Sequence, residues 1–405
     1  MTPGTSADGR ATEGSGGSAA GGTSGGGLRI VVVGATGNVG TSVVKALSDD
    51  PHVGSVLGIA RRLPGWSPPK TDWASVDIGG PHDGAGGGGA GAAGASEAGL
   101  APGPGDEAKD DLVRLFKGAD AVVHLAWLFQ PTHRPLITWR TNVLGSLRVF
   151  QAVADAGVPA LVHASSVGAY APGPKDRQVD ESWPTHGWPE AAYCREKSYL
   201  ERVLDSYERE HPGIRVVRMR PGFLFKKEAA SEQRRLFAGP FVPQRLVRPG
   251  VLPVVPDLPG LRFQTMHTDD AAEAYRLAAT GSGRGAYNLA AEPVVDADLL
   301  ARLLGARVVR MPLRPVRTAL AAGWHSHLLP ASPQLFDAVL RLPLMDSGKA
   351  REELGWSPRW TSEEAVAEFL HGLRTVAGMD TPTLARRMPG GGRLRELRTG
   401  VGEHP

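Results

Sequence analysis

Cysteine is almost absent, since Cys194 is the only one in 405 residues. A disulfide framework is therefore excluded. Long apolar runs are also missing, and nothing approaches the ~20 residues that a membrane-spanning helix needs. The N-terminal stretch carries Arg10 but no apolar core of the kind that makes a secretory signal. Blocks of like charge are missing too. The net charge is +3, and the basic pI of about 9.0 comes from a thin excess of Arg and Lys spread along the chain. Neither nucleic acid nor a membrane surface is implied as a partner. We read no metal site. The expectation is a cytoplasmic protein acting on a small molecule.

Large apolar side chains are scarce in two stretches. Residues 1–27 are rich in Gly, Ser, Thr and Ala, and residues 79–106 in Gly, Ala and Pro. Such segments bury too little surface to offset the entropy of ordering. The first is expected to be a disordered tail. The second is expected to be a flexible insertion, longer than compact domains usually tolerate. The Gly/Arg-rich end, 379–405, is expected to be a poorly ordered tail.

Between these stretches the chain alternates strand and helix patterns. Strands are expected at 28–33, 55–60, 73–78, 121–126, 160–164 and 214–219, with a long helix around 134–156. Alternation of this kind implies an α/β fold, a Rossmann-like doubly wound parallel sheet. The expected division is a dinucleotide-binding domain over 28–221 and a smaller substrate-binding part over 222–378, where the rhythm breaks.

The first strand runs into Gly34-Ala35-Thr36-Gly37-Asn38-Val39-Gly40 and then an amphipathic helix carrying Val39, Val43, Val44 and Leu47 on one face. Strand, glycine turn and helix N-terminus together present backbone N–H groups to a phosphate. A plain strand-to-helix connection is the alternative reading. Arg61 and Arg62 follow the second strand. An acidic residue there would grip the ribose 2′-hydroxyl of NAD, whereas arginine suits the 2′-phosphate of NADP. NADP is expected over NAD.

Tyr193-Cys-Arg-Glu-Lys197 puts a phenol and an ammonium at i and i+4 of a helix, on one face. A nearby cation favours the phenolate. Reaching neutrality from about 10 requires about 4 kcal/mol. Cys194 reads as a small filler residue. His124 reads as a packed strand residue, and Trp183, Trp188, Trp324 and Trp356 as packing residues. Lys226-Lys227 and Arg234-Arg235 read as exposed loop charges, with an anionic substrate as the alternative.

With these motifs the chain resembles the extended short-chain dehydrogenase/reductase family, the NAD-dependent epimerase/dehydratase group. The resemblance rests on Gly34/Gly37/Gly40, Ser165-Ser166-Val-Gly-Ala-Tyr170, Tyr193-x-x-x-Lys197 and Arg220-Pro221-Gly222. His267-Thr-Asp-Asp270, Gly285-Ala-Tyr-Asn288 and Leu354-Gly-Trp-x-Pro358 add to it. It implies that Tyr193 transfers a proton and that Ser166 orients the substrate oxygen. Lys197 would tune Tyr193 and bind the nicotinamide ribose. Asp77 and Ile78, Leu125 and Ala126, Ser165 and Pro221 would flank the cofactor. Asn142 would fix the central helix, with a role in a proton relay as the alternative. Relatives pair through two long helices, so a homodimer is compatible with the resemblance.

The departures from relatives are informative. Val167-Gly168 stands where 4,6-dehydratases carry an Asp-Glu pair, so water elimination is disfavoured. Pro221-Gly-Phe-Leu-Phe225 lacks the Asn that sugar-nucleotide epimerases place near the substrate diphosphate. Three readings stay open: a net reductase or dehydrogenase, an epimerase that recycles its cofactor, and a non-catalytic NAD(P)-binding protein.

Overall fold

The computed structural model describes residues 26–80, 106–238 and 251–386. The expected tail at 1–27 lies outside these residues but for its last two. Residues 81–105 of the expected insertion, residues 239–250 and residues 387–405 also lie outside.

Seven strands form one sheet: β1 (Leu28–Val33), β2 (Val53–Ala60), β3 (Thr71–Ser75), β4 (Ala121–His124), β5 (Ala160–Ala164), β6 (Arg215–Pro221) and β7 (Gly285–Leu289). Their order is β3-β2-β1-β4-β5-β6-β7, and every neighbouring pair is parallel. The chain starts in the middle, runs out to β3 and returns across β1 to β4. That crossing makes a switch point at the carboxyl ends of β1 and β4, where such sheets bind ligands.

The β-branched runs alternate between two cores, as a period of two requires. Ile30, Val32, Val123, Val162 and Val217 face one layer. Helices α1 (Asn38–Asp49) and α5 (Thr268–Thr280) fill that layer with Val43, Val44, Leu47 and Tyr275. Val31, Val33, Val122, Leu161 and Val216 face the other layer. There α2 (Glu107–Phe116), α3 and α4 (Ala192–Glu210) contribute Phe116, Phe150 and Leu204. Helix α3 is one rod in three pieces: Pro135–Trp139, a π-turn Arg140–Leu144, and Gly145–Asp155.

The structure corrects the expected division at 221. After the irregular stretch that follows β6, the chain returns to the sheet. β7 pairs with β6 from Gly285↔Val217 to Leu289↔Pro221, and α5 packs on α1 and the sheet. Residues 268–289 therefore return to the central sheet and the helical layer beside it. The smaller part is built around them from the hairpin Leu313–His325/Pro333–Val339 and helix α6 (Ser362–Thr375). Trp356 locks the two together, buried with its indole N–H donating to Asp270 O at 2.8 Å.

The base of the insertion is clasped. Arg148 of α3 donates to Ile78 O at 2.8 Å and pairs through Nε with the Asp106 carboxylate. Both groups are largely buried, and they stand on the two sides of residues 79–105. Loop length itself costs little, about 0.6 kcal/mol per doubling. Replacing residues 81–105 with a short Gly-Ser linker is therefore expected to leave the melting temperature within a few degrees. Arg148→Met, which strands a largely buried carboxylate, is expected to cost about 1–3 kcal/mol. Thermal melts of both variants check this, and the opposite order would show that the insertion supports the fold.

Candidate active site

β1 ends where its last residue pairs with His124 of β4, and the chain turns at Gly34 with φ +88. A side chain there would run into Ala126 N at 2.5 Å, so only glycine lets the turn pass beside the end of β4. Gly40 is closed in the same way, because a Cβ would run into Gly34 O. Gly37 differs. Its Cβ would meet nothing nearer than Gly34 O at 3.7 Å, and no side chain caps α1, which starts at Asn38. Chain neighbours apart, no side chain among the described residues comes within 4 Å of the Gly37 Cβ position, beside the N–H groups of the first helical turn. That is the shape and polarity a dinucleotide phosphate requires. Thr36, Asn38 and Val39 complete this turn. Asn38 donates from Nδ2 to Leu224 O at 3.3 Å and accepts at Oδ1 from Thr268 Oγ1 at 3.2 Å, so it ties the turn to the chain beyond β6.

Lys226, expected among exposed loop charges, is buried behind this turn. Its ammonium donates to Asn38 O (2.7 Å), Thr41 Oγ1 (2.7 Å) and Ser42 Oγ (2.9 Å), which uses all three protons. Burial draws its pKa down to about 8, opposed by Asp269 and the nearby glutamates. It clamps α1 and is not open to an anionic substrate.

Around the adenosine end, Arg61 is exposed and Arg62 is half-buried just past β2. Burial and the neighbouring Arg61 charge lower the Arg62 pKa. Asp77 accepts from Gly79 N at 3.0 Å, and Ile78 is buried with its carbonyl held by Arg148. Leu125 and Ala126 lie half-buried at the carboxyl end of β4, and Pro221 ends β6.

Ser166 sits just past β5 and caps the short turn Val167–Ala169, accepting from Gly168 N at 3.0 Å. Gly168 is pressed against the catalytic candidate. A Cβ on it would come within 2.6 Å of Tyr193 Cε1 and 3.4 Å of Ser166 Oγ. Ser166 and Tyr193 are therefore brought together across this glycine. Burial pushes the Tyr193 phenol above its ordinary range, the Ser166 hydroxyl counters this, and Cys194 and Glu196 add to the rise. Lys197 lies one turn further along the same helix. Its ammonium donates to Ala164 O at 2.6 Å and lies 3.4 Å from the ring centre of Trp127. Burial brings it down to about 7, against the pull of Glu196 and Glu201.

Ser165 and Asn142 spend their polar atoms on hydrogen bonds within the protein. Ser165 donates to Glu201 Oε1 at 2.5 Å in a buried network. Asn142, on the π-turn, accepts from Leu128 N (2.7 Å) and donates to Leu128 O (2.8 Å) and Glu196 Oε2 (2.7 Å). It fixes the segment after β4 against α4. The extra residue of the π-turn is the local signal of such a role. Cys194 is buried and its thiol is pushed up to about 12 by burial, which makes it filler. His124 is buried, held near 3 by burial and the Lys197 charge, with Nε2 against Ser146 Oγ at 2.8 Å.

The segment after β4 brings an aromatic set that motif reading did not single out. Phe129 stacks on Tyr193 at 5.1 Å between ring centres and 12° between planes. Trp127 meets Tyr193 edge-on at 5.6 Å, and Phe237 meets Phe129 at 5.6 Å. Gln130 secures this wall, donating to Leu236 O at 2.7 Å and Pro330 O at 3.3 Å. The signal in the sequence was Trp127-Leu-Phe129, two large aromatic residues directly after Ala126.

Fold, glycine cradle and switch point define a Rossmann-type dinucleotide-binding protein. The chain belongs to the NAD dependent epimerase/dehydratase family, which residues 30–290 match. A nicotinamide dinucleotide is that family's cofactor, and the cradle fits it. A curated relative is the 4-hydroxy-2-methyl-3-oxo-4-farnesyl-3,4-dihydroquinoline-1-oxide ketoreductase of Stigmatella aurantiaca. It is 28% identical over 282 residues, covering 64% of this chain and 79% of that protein. Among solved structures, the UDP-glucose 4-epimerase of Thermotoga maritima superposes with a TM-score of 0.59 at 19% identity, covering 86% of this chain and 99% of that one. The UDP-glucose 4-epimerase of Thermus thermophilus, in complex with NAD, gives a TM-score of 0.57 at 20% identity, covering 86% and 99%. At these identities the structures speak to fold alone. Among the described residues no helix is long and apolar enough to cross a membrane.

Proposed function

We propose that this protein is a nicotinamide-dependent reductase or dehydrogenase that acts on a flat, largely apolar carbonyl or carbinol substrate. The observation that carries the reading is the setting of Tyr193. Its phenol meets the Ser166 hydroxyl, while Phe129 and Trp127 wall its ring. Aromatic walls favour flat apolar partners through offset or edge contacts. The ketoreductase relative, whose named substrate is a farnesylated quinoline oxide, supports the same class. The missing Asn after β6 and the buried Lys226 weigh against a sugar nucleotide.

The cofactor, when bound, supplies or accepts hydride at a carbon. The chain's own residues do the rest. Ser166 donates a hydrogen bond to the substrate oxygen and holds it beside Tyr193. Tyr193 Oη gives a proton to that oxygen in reduction and takes it back in oxidation. Lys197 holds the nicotinamide ribose, its ammonium exchanging the face of Trp127 for the ribose hydroxyls. Trp127, Phe129 and Phe237 exclude water from the reacting carbon, which strengthens every polar contact there.

The test follows absorbance of reduced nicotinamide with aromatic ketones and with UDP-sugars. Net oxidation of the cofactor by the ketones is expected, with NADPH preferred to NADH. Isomerised UDP-sugar without net absorbance change would make the protein an epimerase. Product in neither arm, with dinucleotide bound, would make it a binder. Arg61→Asp is expected to narrow or invert the preference. A lost charge-assisted bond to the 2′-phosphate is worth about 1.5–3 kcal/mol, or about 10–100-fold in affinity. Equal binding of both dinucleotides by the wild type would remove Arg61 and Arg62 from the cofactor site.

A further inference from the structure

Beyond α6 the chain does not leave the fold at 379, contrary to the expected tail. Val376 turns it back with φ +52, and Ser231 Oγ holds Ala377 O at 2.6 Å. The next residues form a compact turn, with Met379 N donating to Leu384 O at 3.0 Å and Leu384 N to Thr381 Oγ1 at 3.3 Å. Thr381 and Leu384 are buried. The reason is local: Thr381, Thr383 and Leu384 offer two hydroxyls and an apolar anchor before the Gly/Arg-rich end begins.

This turn touches the dinucleotide groove at two places and is held from a third. Thr381 Oγ1 donates to Thr36 O at 3.0 Å, and Thr383 Oγ1 lies 3.4 Å from Thr36 Oγ1. Asp380 lies over the loop after β2, where a Cβ on Gly65 would come 2.7 Å from Asp380 Oδ2. From the side of the smaller part, Arg235 donates to Thr383 O and Ala385 O, both at 3.0 Å. In a doubly wound sheet the dinucleotide crosses the carboxyl end of β1, with its adenosine toward β2. Thr36 and Gly65 mark that half of the path.

We propose that residues 379–386 are part of the dinucleotide site, a strap that closes over the adenosine half of the bound cofactor and slows its release. This rests on the nicotinamide-cofactor reading above. The strap takes the carbonyl and hydroxyl of Thr36, not the N–H groups of the first turn of α1. The face of Gly37 stays clear, with nothing nearer its Cβ position than Gly34 O at 3.7 Å. The strap therefore covers the groove without plugging the phosphate cradle. Arg235 ties it to the smaller part, so strap opening and movement of that part are coupled. In a net reductase the oxidised cofactor must leave each cycle, and strap opening then lies on the turnover path.

Stopped-flow displacement of NADPH from the full-length protein, read by tryptophan-to-nicotinamide energy transfer, tests this. Thr381→Val removes the bond to Thr36 and is expected to speed dissociation about fivefold. Leu384→Asp expels the buried anchor and is expected to speed it at least about tenfold. Circular dichroism melts without cofactor establish that each variant is folded. If Leu384→Asp does not fold, Thr381→Val decides alone. Unchanged dissociation in the folded variants would overturn the strap while leaving the cofactor reading intact. Slower dissociation and tighter binding would also overturn it, making the segment a competitor for the groove. Wild-type protein that binds neither NADPH nor NADH would instead fail the cofactor reading, and the strap with it.

Discussion

Tyr193→Phe is expected to lower turnover by about 10²–10⁴, the range contributed by a positioned acid or base, with cofactor affinity nearly unchanged. The substitution keeps the ring that Phe129 and Trp127 pack against, so the wall should stand. Only the hydroxyl beside Ser166 is lost. In the free protein, burial raises the phenol, which keeps it protonated. Ser166→Ala should also lower turnover with affinity kept, if Ser166 orients the substrate oxygen as proposed. Lys197→Met should weaken cofactor binding and turnover together. The structure sets Lys197 apart, since it reaches Ala164 O and the Trp127 face and not the phenol. Single-turnover rates at saturating NADPH, with affinities from fluorescence titration, separate the three. An active Tyr193→Phe protein would remove Tyr193 from the chemistry.

The parts legible in the sequence are the ones whose cause is local. The run Leu28–Val33 and the glycines after it specify strand, turn and helix within about a dozen residues. The Tyr193/Lys197 spacing specifies a shared helical face within a single turn. Where the cause is distant, the reading failed. Lys226 looks like a loop charge until Asn38, Thr41 and Ser42, more than 180 residues away in sequence, close around it. Nor does the sequence around Ser165 show that Glu201 of α4, 36 residues on, takes its hydroxyl. β7 carries the Gly285-Ala-Tyr-Asn288 motif but no run of apolar residues, so its place at the sheet edge comes from β6, not from its own pattern. Phe129 and Phe237 acquire a role only when the segment after β4 folds over Tyr193.

The same distance between cause and pattern applies to the motif Arg220-Pro-Gly, whose arginine carries the largest expected stability effect. Arg220 makes two 2.9 Å bonds to the Glu201 carboxylate, a third to Tyr170 Oη and a fourth to Glu181 O. Tyr170 in turn donates to Asn288 on β7 at 2.7 Å. Arg218 adds a 3.2 Å contact to Glu201 and pairs with Asp205 and Glu208. Burial alone would push the Glu201 carboxyl up, but Arg220, Ser165 and Arg218 overcome it and hold it at about 2. Arg220→Met leaves a buried carboxylate with a poorer partner, and breaking such a pair costs about 3–5 kcal/mol. Against a typical total of about 5–15 kcal/mol, that is a large fraction of the stability. The linkage has a definite sign. The folded value of Glu201 lies below its unfolded value of about 4.3, so its stabilisation is present above that pH. It is lost as pH falls from about 4.3 toward 2. Glu201→Gln should therefore lower stability at pH 7 and flatten its fall between those limits. Urea unfolding of wild type, Arg220→Met and Glu201→Gln across pH 3–7 measures both effects. Parallel pH curves for wild type and Glu201→Gln would show that the ion pair is not what couples β6 to α4.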